Sequence, residues 1–324
     1  MKMTCLLPVA LVFAAGLAVA QAPAPAPAYP VKSVRLVVPS SPGGGTDILA
    51  RVLAQKMSET FGQQFVVENR PGAGQVIGIE AVARSAPDGY TLLMAASAIV
   101  INEVLYAKPP YDTLRDFAPV TLGASLPNIL VVHPALPVKS VRELIVLAKT
   151  RAGQLNYSSA GSGTSPHLSM ELFRLMAGIT LTHIPYKGSG PATVDLLAGQ
   201  VQLSMPNVLT ALPHIKGGKL RGLGVTSGKR ATGLPDIPAI AETLPGYEAI
   251  QWYGILAPAG TTRDIVGKLQ AEIARILVLP EVRDRLAADG ADAVGSRPDE
   301  FAAYIRAELA KWGKVVKTGS IKLE

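Results

Sequence analysis

The sequence predicts an α/β protein of two similar lobes, each a mainly parallel sheet flanked by helices. Three observations carry this. From Val34 onward, short strand-like runs alternate with stretches of helical periodicity, the arrangement of βαβ units. A strand, a small-residue turn and a helix occur twice, in "RLVVPSSPGGGTDILARVLAQKM" and in "LNYSSAGSGTSPHLSMELFRLMAG". After the second series, "QWYGILAP" reads as a strand that returns the chain to the first lobe.

The first twenty residues are expected to be a cleaved secretory signal. Lys2 supplies a positive start, "LLPVALVFAAGLAVA" an apolar centre and Ala18-Val19-Ala20 an A-x-A cleavage site. A membrane anchor would need about 20 apolar residues, and no later run approaches that. The exported chain is therefore expected to begin at or near Gln21, which mass analysis checks; retained Met1, or a lipid on Cys5, would contradict it. Cys5 is the only cysteine and falls inside the signal, so the mature chain has no thiol. Disulfides, a cysteine metal site and a cysteine nucleophile are excluded. Residues 21–30, "QAPAPAPAYP", read as a semi-rigid polyproline-like spacer.

Removing Lys2 with the signal changes 31 basic residues to 30 against 24 acidic ones, a net charge of +6. The charges are scattered and aromatic residues make up only 5%, which suits a solvated surface and no nucleic-acid partner.

In the first lobe, Leu36 to Val38 form a strand, and Gly43, Gly44 and Gly45 let the backbone take positive φ. Thr46 or Asp47 caps a helix over residues 46–60, with Ile48, Leu49, Val52, Leu53 and Met57 on one face. A glycine turn feeding a helix N-terminus offers free N–H groups and the positive end of the helix dipole, a ready anion site. Gly44→Val is expected to distort that turn, since a β-branched residue is strained at positive φ. "QFVVEN", a helix near residues 75–84, the turn "APDGY" and the strand "TLLMA" follow.

The second series opens with "ILVVHP". Ser140 and Glu143 form an S-x-x-E capping box before "VRELIVLAKTR", which Gly153 stops. After the second small-residue turn come "LTHIPY", a helix after Pro191, the strand "QVQLSM", a helix ending at the glycines of "HIKGGK" and the strand "LRGLGVTS". Beyond "QWYGILAP", Thr261 or Thr262 caps one helix, Pro280 separates it from "EVRDRLAADG", and Ser296 starts the last. The first lobe is thus expected over residues 31–128 and 250–324 and the second over 129–249. Hinges are expected near Pro127–Asn128 and Ala249–Gln251.

Neither turn carries the lysine of a Walker loop, the G-x-G-x-x-G of a dinucleotide site or the G-x-S-x-G of a hydrolase elbow, so no nucleotide cofactor is indicated. His133, His167, His183 and His214 show no i,i+4 pair and no adjacent carboxylate, which disfavours zinc. Several residues carry two readings. Asp47 either caps its helix or faces a ligand; His167 is either structural or orients a ligand. Trp252 and Tyr253 are either core or pocket wall, and Lys187 is either a surface lysine or a cation near the second turn. Ser162 with His167 could form a dyad, yet nothing supplies the third group.

Taken in order, these segments resemble one family. "VRLVVPSSPGGGTDILARVLAQKM", "VVENRPGAGQVIGIEAVARSAPDGYTLLM", "YDTLRDFAPVT", "LNYSSAGSGTSPHLSMELF", "HIPYKGSGPATVDLLAGQV", "ALPHIKGGKLRGLGVTS", "GILAPAGTT" and "EFAAYIRAELAKWGKVVK" are similar to the Bug-type extracytoplasmic solute receptors of tripartite tricarboxylate transporters. The resemblance implies a two-lobed periplasmic binding-protein fold, type II-like, with a ligand cleft between the lobes. It implies a monomeric periplasmic receptor that binds a small carboxylate, has no catalytic residues, metal or cofactor, and delivers the ligand to membrane permease subunits. On matching positions the pocket would take Ser40, Gly43, Gly44, Asp47 and Ser97 from the first lobe. Ser159, Gly161, Ser162, Thr164, His167, Pro191, Ala192 and Asn207 would come from the second.

Two stretches depart from the family's pattern. "AASAIVIN" replaces a small-residue polar loop, and "SMPN" puts Pro206 where an acidic group is common. Both favour a carboxylate without an amino group. A ligand sensor for a two-component system, or an enzyme on the same fold, is the competing function.

Overall fold

The computed structural model describes residues 29–231, 234–288 and 290–319, together with Met1. The expected signal, with Cys5, and most of the spacer lie outside the described residues. In chain order, the first series is β1 (Val34–Val38), α1 (Gly45–Phe61), β2 (Phe65–Asn69), α2 (Val76–Ala83), β3 (Thr91–Ala96), α3 (Ala98–Leu105), the single turn α4 (Thr113–Asp116) and β4 (Phe117–Pro127). The second is β5 (Ile129–Val132), α5 (Val141–Thr150), β6 (Asn156–Ser159), α6 (Ser165–Ala177), β7 (Thr182–Pro185), α7 (Ser189–Leu197), β8 (Leu203–Ser204), α8 (Val208–Lys216) and β9 (Arg221–Val225). The chain closes with β10 (Ile250–Pro258), α9 (Arg263–Leu277), α10 (Pro280–Ala288), β11 (Asp292–Ala293) and α11 (Pro298–Gly319).

Two sheets result, of order β11-β4-β10-β3-β1-β2 and β7-β6-β8-β5-β9. β1 pairs in parallel with β2 and β3, and β6 with β7 and β8. β10 is antiparallel to β3 and β4, as β5 is to β8 and β9. The sheets are therefore mixed rather than mainly parallel. A helical crossover forces the parallel pairs, whereas β5 and β10 enter from the other sheet and carry no such constraint. β1 is apolar on both faces: Val37 joins one core cluster, and Val34, Leu36 and Val38 the other.

Several boundaries shift for local reasons. Ser140 accepts the Glu143 N–H at 3.2 Å, but the Glu143 carboxylate reaches back to the Lys139 N–H, so only half of the expected box forms. α5 ends at Thr150, before Gly153. α7 starts at Ser189, two residues before Pro191, and the "QVQLSM" strand shrinks to Leu203–Ser204. Ser296 caps no helix; its hydroxyl accepts the Leu122 N–H at 3.0 Å and its carbonyl the Thr121 hydroxyl at 2.8 Å, tying it to β4.

The chain passes from the first sheet to the second at Asn128 and returns before β10. One residue ties the two crossings. Thr226 Oγ1 accepts the Asn128 N–H at 2.8 Å and donates to the Ala249 carbonyl at 2.5 Å. Its own N–H donates to Asn128 O and its carbonyl accepts from Ala249 N, each at 2.9 Å.

Candidate functional site

Between the sheets the first small-residue turn meets the loop that opens α7, and the second meets the Gly74 loop and α3. Ser41 donates from both its N–H (3.3 Å) and its hydroxyl (2.6 Å) to the Lys187 carbonyl. A Cβ added at Gly74 would lie 2.0 Å from the Ser162 carbonyl oxygen, and one at Gly163 would lie 1.9 Å from Asn102 Oδ1. A Cβ at Gly45 would lie 2.4 Å from Asn207 Oδ1 and 2.6 Å from the Tyr253 hydroxyl. At Gly74 the neighbour is a backbone atom that has no rotamer, so only glycine permits that approach. A cavity of about 10 Å³ remains at Ser189, Ala192 and Pro206.

Helix N-termini line this junction. α1 opens at Gly44, α6 at Thr164 and α7 at Gly188, and none has a side-chain cap. Thr164 Oγ1 donates instead to the Gly161 carbonyl at 2.6 Å. The first N–H groups of each helix lack intrahelical acceptors, so three positive helix ends are presented to the cleft. α8, by contrast, is capped by Asn207, whose Oδ1 accepts the Thr210 N–H at 3.1 Å.

The expected conformation of the first turn needs one correction. Gly43 has φ +84, but Gly44 has φ −85 and ψ 164, an extended conformation open to any residue, and Gly45 is already helical. Gly44→Val therefore meets Ser189 Cβ at 3.4 Å rather than backbone strain. Asp47 is not the N-cap of its helix, which is Gly44. It lies inside α1 and accepts from Gly43 N, Arg51 Nε, Arg51 Nη2 and Asn69 Nδ2, each at 3.0 Å. Burial pushes its pKa up, but the Arg51, Gly43 and Asn69 hydrogen bonds outweigh this and hold it below the ordinary value. The carboxylate braces the turn with both oxygens used.

Trp252 and Tyr253 are both fully buried and each joins a core cluster, on opposite faces of β10 because successive strand residues face opposite ways. Trp252 packs edge-on against Phe301 and Tyr304 and donates its indole N–H to Glu308 at 3.1 Å. Tyr253 points to the cleft beside Gly45. Its hydroxyl is buried, lies near Thr46 and Gln251 without closing an ordinary hydrogen bond, and burial pushes its pKa up to about 12. Ser40 Oγ, Gln75 Oε1, Asn102 Oδ1 and Asn128 Oδ1 are also buried without a hydrogen-bond partner, and such groups call for one. Ser97 is fully buried and donates to Gln251. Lys187 is exposed and meets the first turn only through its carbonyl. Pro191 lies exposed on α7, while Ala192 is buried.

The spacing of residues does not announce Gln75, Asn102, Asn128, Ser189 or Gln251. Gln75 did leave a trace, the glycine-rich "RPGAGQ": Gly72, Ala73, Gly74 and Gln75 all take positive φ, and Ala73 and Gln75 are the two non-glycines among the described residues that do so.

His167 accepts the Gly163 N–H at Nδ1 (3.2 Å) and stacks on His183 at 4.3 Å, which stacks on Tyr157 at 4.8 Å. Its dyad with Ser162 does not form. Ser159 instead bonds His183 Nε2 at 2.6 Å, and His183 Nδ1 has no partner. Burial lowers the pKa of His167 to about 4 and that of His183 to about 3, the latter helped by His167. Both rings are neutral in the fold, whereas unfolded histidine protonates near pH 6.5. Their contribution to stability is complete above about pH 6.5 and is lost as pH falls towards 4, because the unfolded chain then binds protons that the fold does not. Melting temperature should fall across that window. His167→Gln should flatten the fall, and an unchanged slope would assign it to other groups.

The model of the family described as "Tripartite tricarboxylate transporter family receptor" matches residues 49–321. "Protein BugT" of Bordetella pertussis is 40% identical over 327 residues, covering 100% of both chains. Two solved structures superpose closely. "R. palustris Rpa4515 with adipate" has a TM-score of 0.89 at 40% identity, covering 91% of this chain and 100% of its own. "MatC (Rpa3494) from Rhodopseudomonas palustris with bound malate" has a TM-score of 0.86 at 33% identity, covering 89% and 100%.

Proposed function

The chain belongs to the tripartite tricarboxylate transporter receptor family, and from that premise we propose that it is a periplasmic receptor which closes on a small carboxylate and delivers it to the family's membrane permease. Its fold is the two-lobed α/β architecture of periplasmic binding proteins. The observation that carries the ligand class is the set of three uncapped helix N-termini, α1, α6 and α7, converging on one buried junction. They stabilise an anion through backbone N–H groups. Solved relatives that carry adipate and malate support the same chemistry.

The pocket is assigned to Ser40, Gly44, Thr164 and the α7 start at Ser189, with Tyr253 and Gln75 on the first-lobe side. The described parts of residues 31–128 and 250–324 act as one rigid body and those of 129–249 as the other, turning about Pro127–Asn128 and Ala249–Gln251. The receptor releases its ligand unchanged, so it is not an enzyme. Melting curves with a panel of dicarboxylates and hydroxyacids test the reading. A ligand at a hundredfold excess over its Kd adds about 2.7 kcal/mol, a clear rise in melting temperature. If no acid raises the melting temperature of protein shown by native mass spectrometry to be ligand-free, the reading fails.

Gln75 gives a sharper test. Its φ of +84 costs a non-glycine residue about 1 kcal/mol, and such strain persists where surroundings or function demand it. Gln75→Gly should raise stability and weaken acid binding together. A more stable protein of unchanged affinity would make Gln75 a mere connector.

A further inference from the structure

Behind the crossing strands lies a second cavity, of about 400 Å³. Ile250 lines it, while the next residue, Gln251, is bonded to Ser97 on the cleft side. Successive strand residues face opposite ways, so the cavity lies on the far face of β10 from the cleft. Ile250 pairs with Pro127, the last residue of β4, which also lines it. One wall thus belongs to the first sheet, through Ser125, Leu126, Pro127 and β11. The other is the segment Ser227, Lys229, Arg230 and Ala231, which follows β9 of the second sheet.

The charges on the two walls differ in how they are used. Arg230 is committed, donating to Glu242 at 2.8 and 3.0 Å and to the Pro235 carbonyl at 2.9 Å. Lys229 and Asp292 line the cavity from opposite walls, and among the described residues neither has an ion pair or a side-chain hydrogen bond. Leu126, Ile250, Ala287 and Ala291 supply apolar surface between them. A cavity with a cation and an anion that have no partner among the described residues, and with an apolar lining, complements a zwitterion with an aliphatic body. The volume falls within the ~300–1,000 Å³ of small-molecule sites.

We propose that this cavity is a second ligand site, separate from the cleft, that binds an aliphatic amino acid with its carboxylate towards Lys229 and its ammonium towards Asp292, and that its occupation favours the closed molecule. Because the walls belong to different sheets, rotation that opens the front brings them together and shrinks the cavity. An occupant acts as a wedge against opening. By linkage it tightens acid binding in the cleft by the factor by which the acid tightens its own.

The test uses the signal-free chain and L-leucine as the probe, with binding read by saturation-transfer NMR and shape by small-angle scattering. Wild type should bind L-leucine and become more compact, while Asp292→Asn and Lys229→Met should each weaken binding at least tenfold. Absence of binding to wild type, or binding that survives both charge variants, overturns the site; binding without compaction overturns the wedge. Loss of L-leucine binding on adding an excess of succinate or adipate would place it in the cleft and also overturn the site. Binding of L-leucine to wild type and its loss in the two charge variants do not depend on which acid the cleft takes, so the site and the receptor reading fail separately.

Discussion

Gly74→Ala is expected to yield a folded protein that has lost at least a hundredfold in affinity for its acid, about 2.8 kcal/mol. The added methyl would lie 2.0 Å from the Ser162 carbonyl oxygen, a backbone atom of the opposing turn that has no rotamer by which to withdraw. If the lobes part as proposed, that oxygen moves away and the fold bears only the left-handed conformation of alanine at φ +60, about 1 kcal/mol. The substitution therefore acts on closure rather than on folding. Calorimetry reads the affinity, melting curves the stability and small-angle scattering the shape. A variant that binds as wild type and still compacts would show that the Gly74–Ser162 contact is not part of the bound state. Gly163→Ala is a weaker companion, because its methyl meets the Asn102 side chain, which can rotate.

The second large effect is discrimination against amino acids in the cleft. Succinate should bind at least tenfold more tightly than aspartate, and glutarate than glutamate, a difference of about 1.4 kcal/mol or more. An ammonium closed into the junction needs an acceptor, preferably charged. Among the described residues the nearby carboxylates are occupied: Asp47 by Arg51, Asn69 and Gly43, Asp195 by the Tyr186 hydroxyl at 2.5 Å, and Glu171 by Tyr157 and Arg174. Pro206 offers no N–H, and its carbonyl is taken by Ile129 N at 2.9 Å. The unpartnered Gln75, Asn102 and Asn128 oxygens can accept hydrogen bonds but are neutral, so they leave the charge of a buried ammonium uncompensated. If the amino acids bind more tightly, one of these carboxylates exchanges its partners on ligand binding.

The sequence by itself determined the α/β class, the two strand-turn-helix units, the chain's exit before β5 and its return at β10, because each is written in local periodicity and glycine placement. It left β4 unannounced, since Pro119, Gly123 and Pro127 interrupt its pattern and its length is set by pairing with β10. It could not say which glycines serve the backbone and which serve contact. Gly43 alone in the first turn needs positive φ; Gly45 is required by Asn207 and Tyr253, residues some 160 to 210 positions away in sequence. Nor could it decide between the two readings of Asp47: Arg51 lies one helical turn away, but Asn69 becomes its neighbour only when β2 docks beside α1. Helix ends, turns and signals obey short-range rules that a sequence displays. Closure, buried orphan groups and free charges across a cavity depend on which distant segments meet, and only tertiary packing fixes that.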